Sequence, residues 1–473
     1  DRNTSALQTM AQGAADANSD LAKNYWKAFY AGIAKCNYLL QNMSRGEDNV
    51  APATYAQIKA EAQFLRALYY SYLIELYGDV PLITDVLTLE TGQQPRTPKS
   101  EVVDFILKEY TEAAENLPST NNPTSGRATK GAALALKART ALYNERWQDA
   151  ISASQAVIAM EGTEYIIEDD YSKLFKYEGQ TSKEVIFSVQ YLLGTKVHAL
   201  YRLFGSRNAL AHTNKKPAYQ LADTWECIDG KQIDKSPMFD PKHPYENRDP
   251  RLGYTLAVSG SEFLGFQFET HGDSTKCWNY MTNQRVDNLE ATHAYATFTG
   301  ICWRKYANIE DKDALNDCDM NTILIRYPEV LLTYAEAKIK AGEIDASVLE
   351  AINKVRQRPS VKMPPITTTD PNELFYAVAR ERKYEFSGEG LRLFDIRRWK
   401  IAETVMNQPL LGRMKKSYPD KAPRIDEWGT AFYEGIPIAE SGESADFKMR
   451  VVDIRKFDKN RDYLWPIPYI ERQ

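Results

Sequence analysis

The chain has 473 residues, 43% of them hydrophobic, which is enough to bury one large core or two fused ones. A net charge of −5 without a long basic run argues against nucleic-acid binding, which needs concentrated positive charge. No uninterrupted apolar stretch reaches the ~18 residues of a membrane-spanning helix, and Cys36, Cys227, Cys277, Cys302 and Cys318 show no metal or CxxC spacing.

A Cys277–Cys302 bridge is one option for those thiols; a dispersed, buried, reduced set is the preferred reading. Aromatics make up 11% of the chain, including 29 Tyr and 8 Trp, rich for an ordinary domain, though larger helix packing by Tyr accounts for most of them. Such a surplus suits surfaces that stack on planar or sugar-ring faces.

In chain order, residues 20 to 43 read as a first helix, with Trp26, Phe29, Tyr30, Ile33, Tyr38 and Leu39 at helical spacing. A second helix covers 53 to 77. Ile58, Ala62, Leu65, Tyr69, Tyr72 and Leu76 share one face, and Leu68 and Leu73 widen it. Gly78 and Pro81 supply its stop. Arg66 lies inside the apolar stretch, where a guanidinium must be paired, so it is expected to brace a neighbouring helix or loop. Thr97-Pro98 is expected to open a third helix with Thr97 as its cap.

Residues 128 to 160 resemble a tetratricopeptide pair, with small residues from Gly131 to Ala138 where two helices cross. A second such pair runs from Tyr327 to Arg358, turning at Gly342. Between them, residues 163 to 321 carry short β-type runs (Glu184 to Gln190, Tyr254 to Val258, Phe263 to Phe268) among Gly, Asn, Asp and Pro clusters. The expected fold is therefore mostly α. A helical-repeat scaffold over about 20–162 and 322–400 is interrupted by a loop-rich insertion with short β-hairpins, and a tail follows from 401, all in one domain of 1–473. The Arg/Glu density at 380 to 399 reads as solvated or mutually paired helix faces.

Several motifs occur together and in order. They are Phe64-Leu65-Arg66-Ala67, Tyr77-Gly78-Asp79-Val80-Pro81-Leu82, Asn247-Arg248-Asp249-Pro250-Arg251-Leu252 and Arg304-Lys305-Tyr306. Glu381 to Phe386, Gly388-Glu389-Gly390, Leu393 to Trp399 and Tyr463 to Pro468 follow. With them nearly the whole chain resembles the SusD/RagB family. The resemblance implies a lipid-anchored protein of the Bacteroidetes outer surface. Such a protein partners a SusC-like TonB-dependent transporter and hands it a captured oligosaccharide. The lipidated Cys and signal peptide it implies are expected upstream of Asp1, since Cys36 falls inside a helix. The loop Thr84 to Arg96 contains no aromatic residue, whereas starch-binding relatives can place a Trp there.

No catalytic motif with specific spacing is present: no GxSxG, HExxH, GxGxxG or P-loop. No cofactor is expected. Asp311, Asp313, Asp317 and Asp319 have Ca²⁺-ligand character but lack the Gly and Glu of an EF-hand, so a solvated acidic loop is preferred. Binding chemistry remains. Sugars present C–H faces rimmed by hydroxyls, which exposed aromatics and planar polar groups recognise together.

The densest such cluster is Trp278, Asn279 and Tyr280 with Arg285 and Tyr295; the alternative is that Trp278 plugs the insertion's own small core. Tyr201 and Phe204 with Arg202 and Arg207 form a second cluster, and Trp428 with Tyr418, Phe432 and Tyr433 a third. Trp26, Trp147, Trp399 and Trp465 are expected in the core. The rival readings are a peptide binder of the same fold, a hydrolase, and a plain repeat adaptor.

Overall fold

The computed structural model describes residues 6–120, 126–440 and 446–472; the first five residues of the N-terminal stretch lie outside the described residues. The periodic segments fold as helices at Asp20–Asn42, Pro52–Tyr77, Lys99–Asn116, Lys130–Tyr143 and Trp147–Ile158. Later ones follow at Tyr327–Ala341, Ala346–Arg356 and Pro371–Phe386. Successive helices pack side by side, and Tyr327–Ala341 lies against both Lys130–Tyr143 and Trp147–Ile158. The two repeat halves thus fill one core, in which Leu136, Ile151, Leu331, Ala335 and Ile352 are all buried. Burying an aliphatic side chain of that size contributes about 1.5–3 kcal/mol. Arg139 on the first half crosses to Glu329 on the second with 2.6 Å contacts.

Gly78 ends the second helix with φ +77°, and a Cβ there would stand 2.9 Å from Leu464 Cδ1. Gly342 closes Tyr327–Ala341 in the left-handed conformation. The third helix begins at Lys99, two residues after the expected cap. Thr97 is instead held in an extended bridge to Val80, and the Asp79 carboxylate accepts from Lys99 N at 2.8 Å. An acid from the preceding loop therefore does the capping that Thr97 was expected to do.

Arg66 braces what surrounds it, as its burial requires. It donates to Glu109 at 2.8 Å on the third helix and to Asn37 at 2.9 Å on the first. Asn37 and Tyr70 in turn donate to Ile83 O, fixing the start of the loop after Pro81. The tail then closes on the same corner. Trp465 N donates to Leu76 O at 2.7 Å, and its ring meets Tyr25 and Tyr77 edge-on.

The insertion departs from its expected strands in detail. Val185–Val189 is a strand, but it pairs antiparallel with Thr322–Arg326 at the scaffold boundary. Tyr254 and Thr255 end a short helix, leaving Leu256–Ala257 to pair with Cys302–Trp303. Glu262–Phe263 and Phe266–Gln267 form a hairpin whose turn residues, Leu264 and Gly265, both have positive φ, as a tight two-residue turn demands. Its sheet continues through Lys276–Asn279 and Gln284–Asp287. All five cysteines are free and buried, so Cys277 and Cys302 are not bridged.

The acidic run at 311–319 is not simply solvated. Asp311 is buried and Tyr177 Oη donates to its Oδ1 at 2.7 Å, while also lying 3.2 Å from Asp319 Oδ1. Likewise the Arg/Glu residues at 380 to 399 are paired but largely buried. Glu385 lies between Arg251, Arg326 and Arg358 at 2.5–3.0 Å, with Arg326 and Arg358 also reaching Glu184. Arg251 continues to Asp249 and Glu381, Glu381 to Arg356, and Arg356 to Glu226. Lys305 and Arg326 meet at Glu389. Asp249, Arg251 and Arg304-Lys305 belong to motifs of the insertion, so these ion pairs tie the insertion to the scaffold helices.

Burial alone would raise the carboxyl of Glu385, but Arg358, Arg326 and Arg251 hold it well below the usual range. Burial opposes Glu389 too, and Arg326 and Lys305 keep it low. Both groups bind fewer protons folded than unfolded. Their stabilisation is therefore present above the ordinary glutamate pKa of ~4.3 and is lost as the pH falls below it. The melting temperature, followed by circular dichroism, should drop steeply between about pH 5 and 3. E385Q should flatten that dependence. At pH 7, Arg326→Met takes one of its counterions from each of three buried carboxylates, Glu184, Glu385 and Glu389, and urea unfolding should show a loss of about 3–5 kcal/mol. A loss within experimental error would show that the pairs are dispensable.

Candidate functional site

The Lys276–Asn279 and Gln284–Asp287 strands form an antiparallel hairpin in which Trp278 stands directly opposite Arg285, and Lys276 opposite Asp287. Side chains alternate faces along a strand. Cys277 and Asn279 accordingly point inward and are buried, while Lys276 is exposed and Trp278 half-buried. Lys276 Nζ bonds Asp287 Oδ1 at 2.6 Å on that outer face. Trp278 N is held by Gln267 Oε1 at 3.2 Å, which ties the hairpin to its neighbour.

Tyr280 lies in the turn, exposed, with its N–H on Gly265 O at 2.9 Å. The outer face therefore offers Trp278 and Tyr280 as aromatic surface, with the Arg285 guanidinium beside Trp278 as a planar donor. Asn279 is the turn-maker: its Oδ1 accepts from Met281 N and Thr282 N at 3.0 and 3.3 Å. Its amide oxygen does not serve the outer face.

The Lys276–Asp287 end of the hairpin meets the second expected cluster. Asn208 Nδ2 donates to Asp287 O at 2.8 Å, and Arg207 Nε to Tyr295 O at 3.0 Å. The Tyr295 ring is exposed, 5.7 Å from the His293 ring and 6.0 Å from the Arg207 guanidinium. Beneath them Glu290 is buried. Burial raises its carboxyl above the usual range, offset in part by the N–H groups of Arg207 and Thr297. It anchors the loop and does not face solvent. Trp278, Tyr280 and Arg285 thus sit on the hairpin, while Tyr295, with Arg207 and His293, lies near its Lys276–Asp287 end.

The other expected aromatics do not join them. Tyr201 is fully buried with its hydroxyl on Ala209 O at 3.0 Å, because it fills the insertion's own core. Phe204 is half-buried and packs near Trp303 at 6.4 Å. Trp428 is half-buried among Phe375, Tyr376 and Trp399, with ring centroids 5.0–5.6 Å away, so its faces are already covered. Trp26 and Trp465 are core residues, and so is Trp225, which sequence spacing did not single out.

A larger cleft, about 890 Å³, separates the first helix from the loop after Pro81. Tyr30, Asn37, Asp85, Gln93 and Gln94 line it, and Val86, Leu87 and Leu89 stand exposed on the same loop. The only sequence signal for it was the length of the loop between two helices. Among the described residues, no group of three His, Cys, Asp or Glu side chains is placed to hold a metal ion. No helix there is long and apolar enough to cross a membrane.

Comparison with known proteins agrees with this architecture. A family model described as "SusD family" matches residues 183–473. A second, "Starch-binding associating with outer membrane", matches residues 2–142. SusD-like protein P25 of Formosa agariphila is 24% identical over 397 residues, covering 80% of this chain and 70% of its own. A SusD-like protein of Bacteroides ovatus is 23% identical over 388 residues, 79% of this chain and 65% of that one. The crystal structure of a SusD-like carbohydrate-binding protein from Bacteroides fragilis superposes with a TM-score of 0.82 at 29% identity, over 99% of this chain and 88% of that one. A laminarin-binding SusD-like protein shares the fold at a TM-score of 0.66 and 20% identity, over 98% and 86% of the two chains. With a family model spanning more than half its length, the chain belongs to the SusD family.

Proposed function

We propose that this protein is a non-enzymatic glycan-capture component of the outer surface, delivering oligosaccharide to a SusC-like TonB-dependent transporter. The observation that carries the reading is the outer face of the 276–287 hairpin, where Trp278 lies across from Arg285 with Tyr280 beside them. An aromatic plate stacks on the C–H face of a sugar, and a planar guanidinium bridges vicinal hydroxyls. Tyr295, with its neighbours His293 and Arg207, extends that surface at the other end of the hairpin. The B. fragilis relative, named as carbohydrate-binding, supports the ligand class, and the outer-membrane wording of the N-terminal family model supports the location.

Truncating a central aromatic at a binding surface typically costs about 2 kcal/mol, roughly 30-fold in affinity. Trp278→Ala should weaken capture of the cognate glycan by that order in calorimetric titration, with an unchanged thermal melt, because no scaffold helix rests on it. Unchanged affinity would transfer the site to the 890 Å³ cleft at the loop after Pro81. A collapsed melt would make Trp278 a core residue.

The absence of a catalytic motif generates a separate expectation. Oligosaccharides incubated with the purified protein should elute intact on chromatography. Turnover that a single Asp or Glu substitution abolishes would put a hydrolase in place of a binder.

A further inference from the structure

The four-stranded sheet of the insertion extends the Trp278–Arg285 pair into a longer row. Glu262 stands opposite Gln267, Phe266 opposite Asn279, and Trp278 opposite Arg285. Carrying the antiparallel register of Phe266 and Asn279 one step on sets Gln267 against Trp278. Opposed residues of an antiparallel pair share a face, so Glu262, Gln267, Trp278 and Arg285 run across the four strands on one side of the sheet. Burial agrees. Glu262 and Arg285 are exposed and Gln267 and Trp278 half-buried, while Phe263 and Asn279, in the next row, are buried.

The row is polarised in charge. Glu262 lies two strands from Trp278 and Arg285 only one, a step of about 4.8 Å. Gln267, on the Glu262 side, commits its Oε1 to Trp278 N. A substituent on a ring stacked at Trp278 is therefore within reach of Arg285 and remote from Glu262. Asp287, two residues along the Arg285 strand, is bonded to Lys276. Among the described residues Arg285 makes no ion pair.

The segment beyond the edge strand adds charge of the same sign. Between Glu184 and Asp223 the chain holds Lys196, Arg202, Arg207, Lys215 and Lys216, and no Asp or Glu. Asn208 seats this segment on the hairpin through its bond to Asp287 O. Arg207 gives Nε and Nη2 to the carbonyls of Tyr295 and His212, neutral acceptors that leave its charge in place. Glu290 is buried beneath, with its oxygens on the N–H groups of Arg207 and Thr297. Burial and the charges of Arg207 and Arg202 draw His212 below its usual range. The chain as a whole carries a net charge of −5, so this excess of cations is local.

We propose that the glycan captured on the hairpin is anionic, with a uronate carboxylate or a sulfate ester beside the ring stacked at Trp278. Arg285 pairs with that group, and Arg207 strengthens the field from beyond the edge strand. The inference rests on the hairpin being the capture surface and adds the class of its ligand. A guanidinium meets an oxyanion through two parallel charge-assisted hydrogen bonds, roughly twice as strong as the neutral bonds a hydroxyl offers.

The test is affinity electrophoresis of the full chain in native gels containing polygalacturonate, alginate or κ-carrageenan. Methyl-esterified galacturonan and desulfated carrageenan serve as neutral counterparts, and the matched pairs separate carboxylate from sulfate recognition. Wild type should be retarded by at least one acidic polymer and not by its neutral counterpart. R285M should weaken that binding about 10-fold, R285K should restore part of it, and W278A should weaken it as strongly. All three variants should melt as wild type does, because Arg285 has no ion pair to lose. Retardation by a neutral polymer as strong as by its acidic form, and unchanged in R285M, overturns the anionic class; W278A then reports whether the hairpin still captures glycan. Retardation by an acidic polymer that W278A leaves unchanged is ion exchange and overturns it too. Binding to none of the five polymers also overturns it, and leaves glycan capture itself to the calorimetric titration of Trp278→Ala.

Discussion

Charge buried in the middle of the molecule governs how its parts fit. Arg251, Arg326 and Arg358 are essentially inaccessible, and each lies against two or more carboxylates. Taking such groups out of water costs several kcal/mol per ion, and the cost is offset only when every partner arrives with good geometry. The partners come from distant stretches: Glu184 and Asp249 from the insertion, Glu381, Glu385 and Glu389 from the end of the scaffold. A misregistered insertion would leave whole ions stranded. Replacing the pairs with apolar side chains of equal volume could hold the parts together as tightly, but without that penalty for misplacement.

The same residues explain why so many family motifs consist of Arg, Glu and Asp. Asn247 to Leu252 supplies Asp249 and Arg251, Arg304 to Tyr306 supplies Lys305, and the C-terminal motif supplies their counterions. A rigid frame of this kind lets a polar, loop-rich surface vary outside it. The 276–287 hairpin is anchored through backbone and through buried residues such as Asn279 and Asn288, and its outer face adds the Lys276–Asp287 pair. That division suits a scaffold asked to recognise different ligands.

Helices were legible because their stripes repeat over many turns: Ile58 to Leu76 needed no partner to be recognised. Burial of charge was not legible. A solvated Glu–Arg pair on a helix face and a sealed one read identically in sequence, and Glu385 finds Arg251 and Arg326 far away in the chain. The cap at Lys99 was misplaced for a similar reason, since Asp79 reaches it across a loop. Strands of two to four residues carry too few alternations to register, which is why the Gln284–Asp287 strand was missed. At the candidate surface, sequence grouped Trp278, Asn279 and Tyr280 as one cluster, and only the strand register separates half-buried Trp278 from buried Asn279. No local rule separated Tyr201 from it, because burial of Tyr201 depends on packing from beyond its own segment.

The contact of Trp465 with Leu76, Tyr25 and Tyr77 has a temporal consequence. Synthesis from the N-terminus delivers the first two helices long before the segment that seals them. Until Tyr463 to Pro468 emerges, the corner around Tyr77 stays open, with Gly78 lacking the Leu464 side chain that packs over it. The early helices therefore wait with that corner unsealed until residues 463–468 arrive. The scaffold's first corner is thus closed by a segment far along the chain.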